Sequence, residues 1–413
     1  MDDNKFRKSI RSASCLFLLA LTACASPTAI SATQLSSSDQ VATVVAATMQ
    51  ALTPNIPATI TPDVLTELLP HTLYYLGDGA QVFRMERDGK TVTQITDETY
   101  PVTSYDVSPV DGGIGYVSSN QLILVNAEGS NRRVLVDGCP NGERITNLVF
   151  SPAGRTLAFG YKGLNLYDIS TGVSSLVIED QWTDPTQNVP RLPIELYSPV
   201  SYSPDGTKLL VALDHWESAP SHAVYHPDTN ALVKYTEVKD YIYCCSFHGG
   251  PVWSPDSASF YGVASVHDTS YQMGELWRID AGTGALTRML RTDMFRTGIG
   301  TAYLPKEIYL APDGHLYFFF GMFQTNSGYW EPPALNMVRS SPDGVTDRIV
   351  LRDENFTMMN EALWAPDASF VIVSTAPSRY QNQDGGVLEL YYTASQKSMV
   401  WLAPFGSQMK WGP

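Results

Sequence analysis

From Tyr74 onward, apolar and polar positions alternate in short runs rich in Val, Ile, Leu, Tyr and Phe, separated by Gly, Asp, Asn and Pro. A period of two bounded by turn residues predicts β-strands rather than helices. The pattern also repeats. One layout recurs in YDVSPVDG (105–112), LVFSPAGR (148–155), VSYSPDGT (200–207), PVWSPDSA (251–258), IYLAPDGH (308–315) and ALWAPDAS (362–369). In each, a strand runs into Ser or Ala and then Pro, whose fixed φ and missing N–H stop it, and Asp-Gly or an equivalent makes the turn. Two residues before each Pro stands a bulky core candidate: Val107, Phe150, Tyr202, Trp253, Leu310 and Trp364.

After each turn the sequence offers three further strands, for example TLAFGY, LNLYDI and SSLVIE after Pro152, with tight turns such as DISTGV and DAGTGA between the last two. Four antiparallel strands per unit, with prolines 43 to 57 residues apart, predict the blades of an all-β propeller. The repeats resemble the TolB-type, SPDG-bearing and WD40-like propeller repeats found also in the propeller domain of prolyl oligopeptidases. The resemblance covers about 72–413. It implies an architecture and leaves activity open, since such repeats host many functions.

The segment TLYYLGDGAQVFRMERDGKTVTQITD, ahead of Pro109, supplies three strands without an innermost one. SQMKWGP (407–413) fits the phrase layout, with Trp411 in the place of Trp253 and Trp364 and Pro413 in the place of the Pro. The expectation is a seven-bladed propeller in which 407–412 completes the first blade in the manner of Velcro; six blades with a stray end is the alternative.

The first 23 residues read as an export signal, with Lys5, Arg7, Lys8 and Arg11 ahead of an apolar core at Leu16 to Leu21 that is too short to span a bilayer. LTAC (21–24) resembles the bacterial lipoprotein lipobox, which implies cleavage before Cys24 and a lipid on its sulfur. An ordinary signal cleaved near Ala23 or Ala25 is the rival reading. Ala25 after the Cys implies the outer membrane or cell surface. Residues 24–70, rich in Ala, Ser, Thr and Pro with room for one short helix, read as a tether, and 71–413 as the propeller, a monomeric domain. The formal net charge of −15 gives no electrostatic footprint for nucleic acid.

Long connections between second and third strands mark blades four to seven: DHWESAPSH, VHDTSYQMG, MFQTNSGYWEPP and APSRYQNQDGG. Such loops in a compact domain are commonly functional. They carry His215, Trp216, His267, Asp268, Tyr271, Tyr329, Trp330, Arg379 and Tyr380, and the connections between blades bring Trp182 and His248 to the same face. Aromatic surfaces beside hydrogen-bonding groups suit a protein or glycan ligand, and the bland reading is that they pack the loops on one another. Cys139 pairs with Cys244 or Cys245, unless a vicinal bridge or free thiols prevail.

No GxSxG elbow, HExxH, CxxC or phosphate-cradling loop occurs, and no cofactor or metal site is expected. Three functions follow. The first is a membrane-anchored, extracytoplasmic binding protein of the cell envelope that engages an envelope protein or glycan. The second is a polysaccharide-acting hydrolase or lyase, with carboxylates such as Glu217, Asp268, Glu331 and Asp384 in the same cleft. The third is a scaffold within an envelope complex. The absence of catalytic motifs leans away from an enzyme.

Overall fold

Where the sequence alternation predicts one apolar face, the inner strands of the sheets are instead buried on both faces, while outermost strands such as Val92–Gln94 and Val173–Glu179 stay largely exposed. In Leu73–Leu76 all the residues are buried; Leu73 and Tyr75 pack with Phe370, Leu388 and Met409, while Tyr74 and Leu76 pack with Tyr105, Ile114 and Tyr116. Successive side chains point to opposite faces, so such a strand requires a neighbouring sheet on each side. Leu316–Thr325 repeats the pattern: Tyr317 and Phe319 enter one core cluster, Leu316, Phe318 and Phe320 another.

The structure is a computed structural model that describes residues 67–138, 143–184, 191–215, 221–234, 247–265, 274–290, 300–325, 334–376 and 385–413, by backbone alone at 247–249, 264–265, 300–302 and 323–325. All belong to the unit Leu65–Pro413.

The strands pair antiparallel in chain order, as the repeat predicts. Val102–Val107, Ile114–Ser118, Gln121–Val125 and Arg133–Asp137 form one four-stranded sheet, and Thr146–Phe150, Thr156–Gly160, Gly163–Asp168 and Val173–Glu179 another. Further sheets begin at Pro193–Tyr202, Phe247–Trp253 and Gly300–Leu310. The last, Met359–Trp364, Phe370–Thr375, Gly386–Tyr392 and Val400–Trp411, runs on through Leu73–Leu76, Val82–Met85 and Val92–Gln94 as one seven-stranded sheet.

The proline phrases act as read. Asp205 shows how: its Oδ1 accepts from Ser203 Oγ at 2.6 Å and from Thr207 N–H at 2.9 Å, closing the turn into the second strand. Desolvation is the largest single influence and opposes the charge, but the hydrogen bonds from Ser203 and Thr207 together outweigh it and hold the Asp205 carboxyl well below its ordinary range. Of the core candidates, Val107, Phe150, Trp253 and Trp364 are buried, while Tyr202 and Leu310 are half-buried. The tryptophans also link repeats. Trp253 Nε1 donates to Ser201 Oγ at 3.1 Å, Trp364 Nε1 to the Glu307 carbonyl at 2.8 Å, and Trp411 Nε1 to the Trp364 carbonyl at 2.8 Å.

The C-terminal strand is the inner partner of Leu73–Leu76, with Leu73 opposite Trp411, Tyr74 opposite Lys410 and Leu76 opposite Ser407. Gly412 then donates its N–H to the Thr72 carbonyl at 2.8 Å, and a Cβ there would lie 2.4 Å from the Tyr74 ring. That approach demands glycine. Polar contacts extend the join to the neighbouring sheet: Lys410 Nζ meets Asp106 Oδ1 at 2.7 Å, and Tyr105 donates its hydroxyl to the Gln408 carbonyl at 2.6 Å.

Register shifts recur along the first strand of each sheet, as at Thr146/Leu148, Pro199/Ser201, Lys306/Tyr309 and Met359/Glu361, and they turn polar side chains toward the next sheet. Asp106 Oδ2 accepts the Phe150 N–H, and Glu361 accepts those of Gln408 and Met409, all at 2.6 Å. Burial pushes Glu361 up to about 7, against the pull of those two N–H groups.

Two outcomes are expected. Deleting 407–413 exposes the inner edge of Leu73–Leu76 and abolishes cooperative unfolding, while Trp411→Ala, at a half-buried site, lowers stability by about 2–3 kcal/mol in urea melts. The folded protein holds the Glu361 proton up to about 7 whereas the unfolded chain releases it near the ordinary glutamate value, so this group's contribution falls as pH rises across that interval and is level above it. Glu361→Gln should therefore lessen the loss of stability between about pH 5 and about pH 8; an equal loss in both proteins would exclude the role.

Candidate functional site

At the end of the sheets where second strands lead into third strands, residues 180–182 and 191–197 build a polar and aromatic cluster. The short strand Gln181–Trp182 pairs with the head of Pro193–Tyr202, Gln181 opposite Glu195 and Trp182 opposite Pro193, and so adds a strand on the inner side of that sheet. Two-residue alternation then puts Glu195 and Tyr197 on one face. Glu195 is buried and accepts hydrogen bonds from the Tyr197 hydroxyl and from Lys234 Nζ, the latter at 2.6 Å. Gln181 Nε2 donates to the Tyr197 hydroxyl at 3.3 Å, and Asp180 Oδ1 accepts the Tyr197 N–H at 2.9 Å. Half-buried Trp182 carries the Arg191 guanidinium 4.3 Å from its ring centroid, and Arg191 meets Glu143 at 3.1 Å.

The two acids are pushed apart. Burial works against the Glu195 charge, but Lys234 and Tyr197 outweigh it and hold that carboxyl below its ordinary range. Burial also dominates at Asp180 and raises it to about 6, with the Tyr197 N–H only partly offsetting this and Glu143 adding to it. Near neutral pH the cluster offers a fixed carboxylate braced by a cation, a second acid that titrates close by, and an aromatic face. Such a set can hydrogen-bond and stack on a polyol or an amide, and acids split in this way also meet the first requirement of acid–base chemistry.

Of the residues expected to bind ligand, His215 belongs to this neighbourhood: its Nδ1 lies 2.8 Å from the Ile194 carbonyl, which can only accept, so Nδ1 carries the proton. His248 lies in Phe247–Trp253 opposite Val263, with its backbone alone described. Trp216, His267, Asp268, Tyr271, Tyr329, Trp330, Arg379 and Tyr380 lie outside the described residues, as do Cys24, Cys139, Cys244 and Cys245. The strands bordering those segments, ending at Asp214, Ser265, Thr325 and Thr375, close the same end of their sheets as the cluster. Among the described residues no group of three or more His, Cys, Asp and Glu side chains could hold a metal.

Sequence reasoning singled out Trp182 but missed Glu195, Tyr197, Lys234 and Asp180. One signal was available. In PIELYSPV, Glu195 occupies a strand position two before Tyr197, where an unpaired charge is costly to bury.

No family model matches the chain, and no curated protein matches it in sequence. Among solved structures, an oligogalacturonate lyase in complex with manganese matches at 12% identity with a TM-score of 0.52, over 81% of this chain and 84% of that one. TolB from Acinetobacter baumannii matches at 15% identity and a TM-score of 0.41, over 74% of this chain, which spans 64% of that protein. A TolB-like structure from Agrobacterium tumefaciens matches at 15% and 0.40, over 74% of this chain and 98% of its own. With consecutive antiparallel sheets stacked face to face, the similarity to the lyase settles the architecture. The fold is a β-propeller. At such identities the likeness extends to the propeller and no further.

Because Asp180 is raised to about 6, the propeller's cluster gains a negative charge as pH rises through that value. Trp182 fluorescence should show a transition centred near pH 6 that Asp180→Asn removes; a transition unchanged in that variant would assign it to another group.

Proposed function

We propose that this protein is a binding protein of the cell envelope, a seven-bladed propeller lipid-anchored through Cys24, that holds an extracytoplasmic protein or glycan at the long-loop face of blades four to seven. One observation carries the reading. The buried Glu195 with Tyr197 and Lys234, beside Trp182, forms a braced polar group next to an aromatic plane at the end of the fold where the long connections lie. A solvated surface would not need to bury an ionised carboxylate with two partners. The pairing of Ser407–Trp411 with Leu73–Leu76 supports the seven-blade count, since it gives the first three outer strands an inner one. The lipobox-like LTAC supports the anchor, and the aromatic content of the loops supports the ligand class.

A second reading is favoured by the separated ionisation of Asp180 and Glu195: a polysaccharide-acting hydrolase or lyase working at the same face. The neighbour that is an oligogalacturonate lyase makes an acidic polysaccharide a natural first substrate to offer.

Thermal shift of the detergent-solubilised full-length protein against glycans and peptides tests the first reading. A ligand at about a hundred times its Kd should add about 2.7 kcal/mol, and Trp182→Ala or Lys234→Ala should abolish most of that gain. If no glycan or peptide moves the melting point, the binding reading fails; release of unsaturated or reducing ends from a polysaccharide panel would instead favour the enzyme.

A further inference from the structure

The opposite end of the molecule, where the proline turns lie, holds a cavity of about 310 Å³ between the sheet that begins at Val102 and the next one. Its size falls at the small end of the range that ligand sites occupy. Leu124, Phe150 and Ile169 give it an apolar floor, while Asp111, Asn131 and Arg133 supply polar groups. Leu124 and Arg133 are directly opposite across an antiparallel pair and so share a face, with Arg133 exposed above the buried leucine.

The two charges are uncommitted. Arg133 makes no hydrogen bond or ion pair among the described residues, and it is the one cation lining the cavity. Asp111 accepts fewer hydrogen bonds than Asp205, Asp256, Asp313 and Asp367, the acids of the other proline turns. Asp205 takes three hydrogen bonds on Oδ1, from Ser203 Oγ, Thr207 N–H and Thr207 Oγ1, and its Oδ2 faces Lys208 Nζ at 3.8 Å. Asp111 stands one residue further from its Pro, in SPVDG, and accepts a single bond at 3.1 Å from the Gly113 N–H, leaving its second oxygen without a partner among the described residues. The rim is preformed: Asn126 Oδ1 accepts from Ser130 N–H at 2.8 Å and Ser130 Oγ at 3.0 Å, which leaves the Asn126 side-chain N–H groups without a partner among the described residues.

We propose that this cavity binds a small zwitterion with an apolar side chain, a free hydrophobic amino acid or a dipeptide. Its carboxylate pairs with Arg133, its ammonium with Asp111, and its side chain covers Leu124, Phe150 and Ile169. A guanidinium takes a carboxylate bidentately, and a carboxylate with a free oxygen suits an ammonium donor. The site is separate from the long-loop face and independent of what that face binds.

Titration calorimetry on the detergent-solubilised full-length protein tests this with L-phenylalanine, alanyl-phenylalanine and their N-acetyl and C-amide forms. The free zwitterions should bind, and each blocked form should bind about tenfold or more weakly, as expected for losing a hydrogen bond between charged groups. Arg133→Gln should weaken the free acid while leaving the amide at its already reduced affinity, and Asp111→Asn should do the same for the free amine against its acetylated form. Both substitutions are at exposed positions, and unchanged melting temperatures check that the variants fold. No heat with any zwitterion, or equal affinity for free and blocked forms, overturns the proposal.

Discussion

Everything in this fold depends on strands that are buried on both faces. Each side chain such as Tyr74, Tyr105 or Phe318 contributes about 1.5–3 kcal/mol by leaving water, but only if a second sheet lies against the face it occupies. A sheet with two apolar faces therefore calls for two neighbours, and those neighbours make the same demand. Leu73–Leu76 is the point of greatest need, because its inner edge would also present unpaired backbone groups next to the core. Ser407–Trp411 meets both requirements at once, supplying backbone partners to that edge and Met409 to the adjoining core.

The same constraint divides labour between the two ends of the sheets. At one end, proline and aspartate close tight turns whose hydrogen bonds are internal, and the indole N–H groups of Trp253, Trp364 and Trp411 each tie their repeat to the one before it. At the other, strands such as Pro193–Tyr202 extend past their register shift, and the chain is free to add Gln181–Trp182 and to bury Glu195 against Lys234. A rigid base allows such additions because the packing between sheets does not depend on them. The pocket at the turn end arises differently: in SPVDG an extra residue between Pro109 and the Asp-Gly pair frees Asp111 from the bonds that consume Asp205.

Carboxylates mark both the joints and the candidate site, and surroundings decide what each does. Asp205 is held ionised by its turn, Glu361 is driven toward its neutral form by burial at the C-terminal join, and Glu195 keeps its charge despite burial because Lys234 and Tyr197 are aimed at it. Residue type alone separates none of these cases, since desolvation and hydrogen bonding act in opposite directions with comparable strength.

The sequence by itself determined the four-strand groups, their turns, and the buried positions Val107, Phe150, Trp253 and Trp364 ahead of Pro, though not the added strand Gln181–Trp182, because alternation and turn chemistry act over a few residues. It also placed Trp411 with Trp253 and Trp364, since one phrase layout recurs. Tertiary structure alone decided that Lys234 reaches Glu195 across 39 positions and that Lys410 meets Asp106 across 304. The first meeting joins non-adjacent strands of one sheet and the second joins two sheets at opposite ends of the chain, and neither leaves a periodic trace that a local pattern could carry.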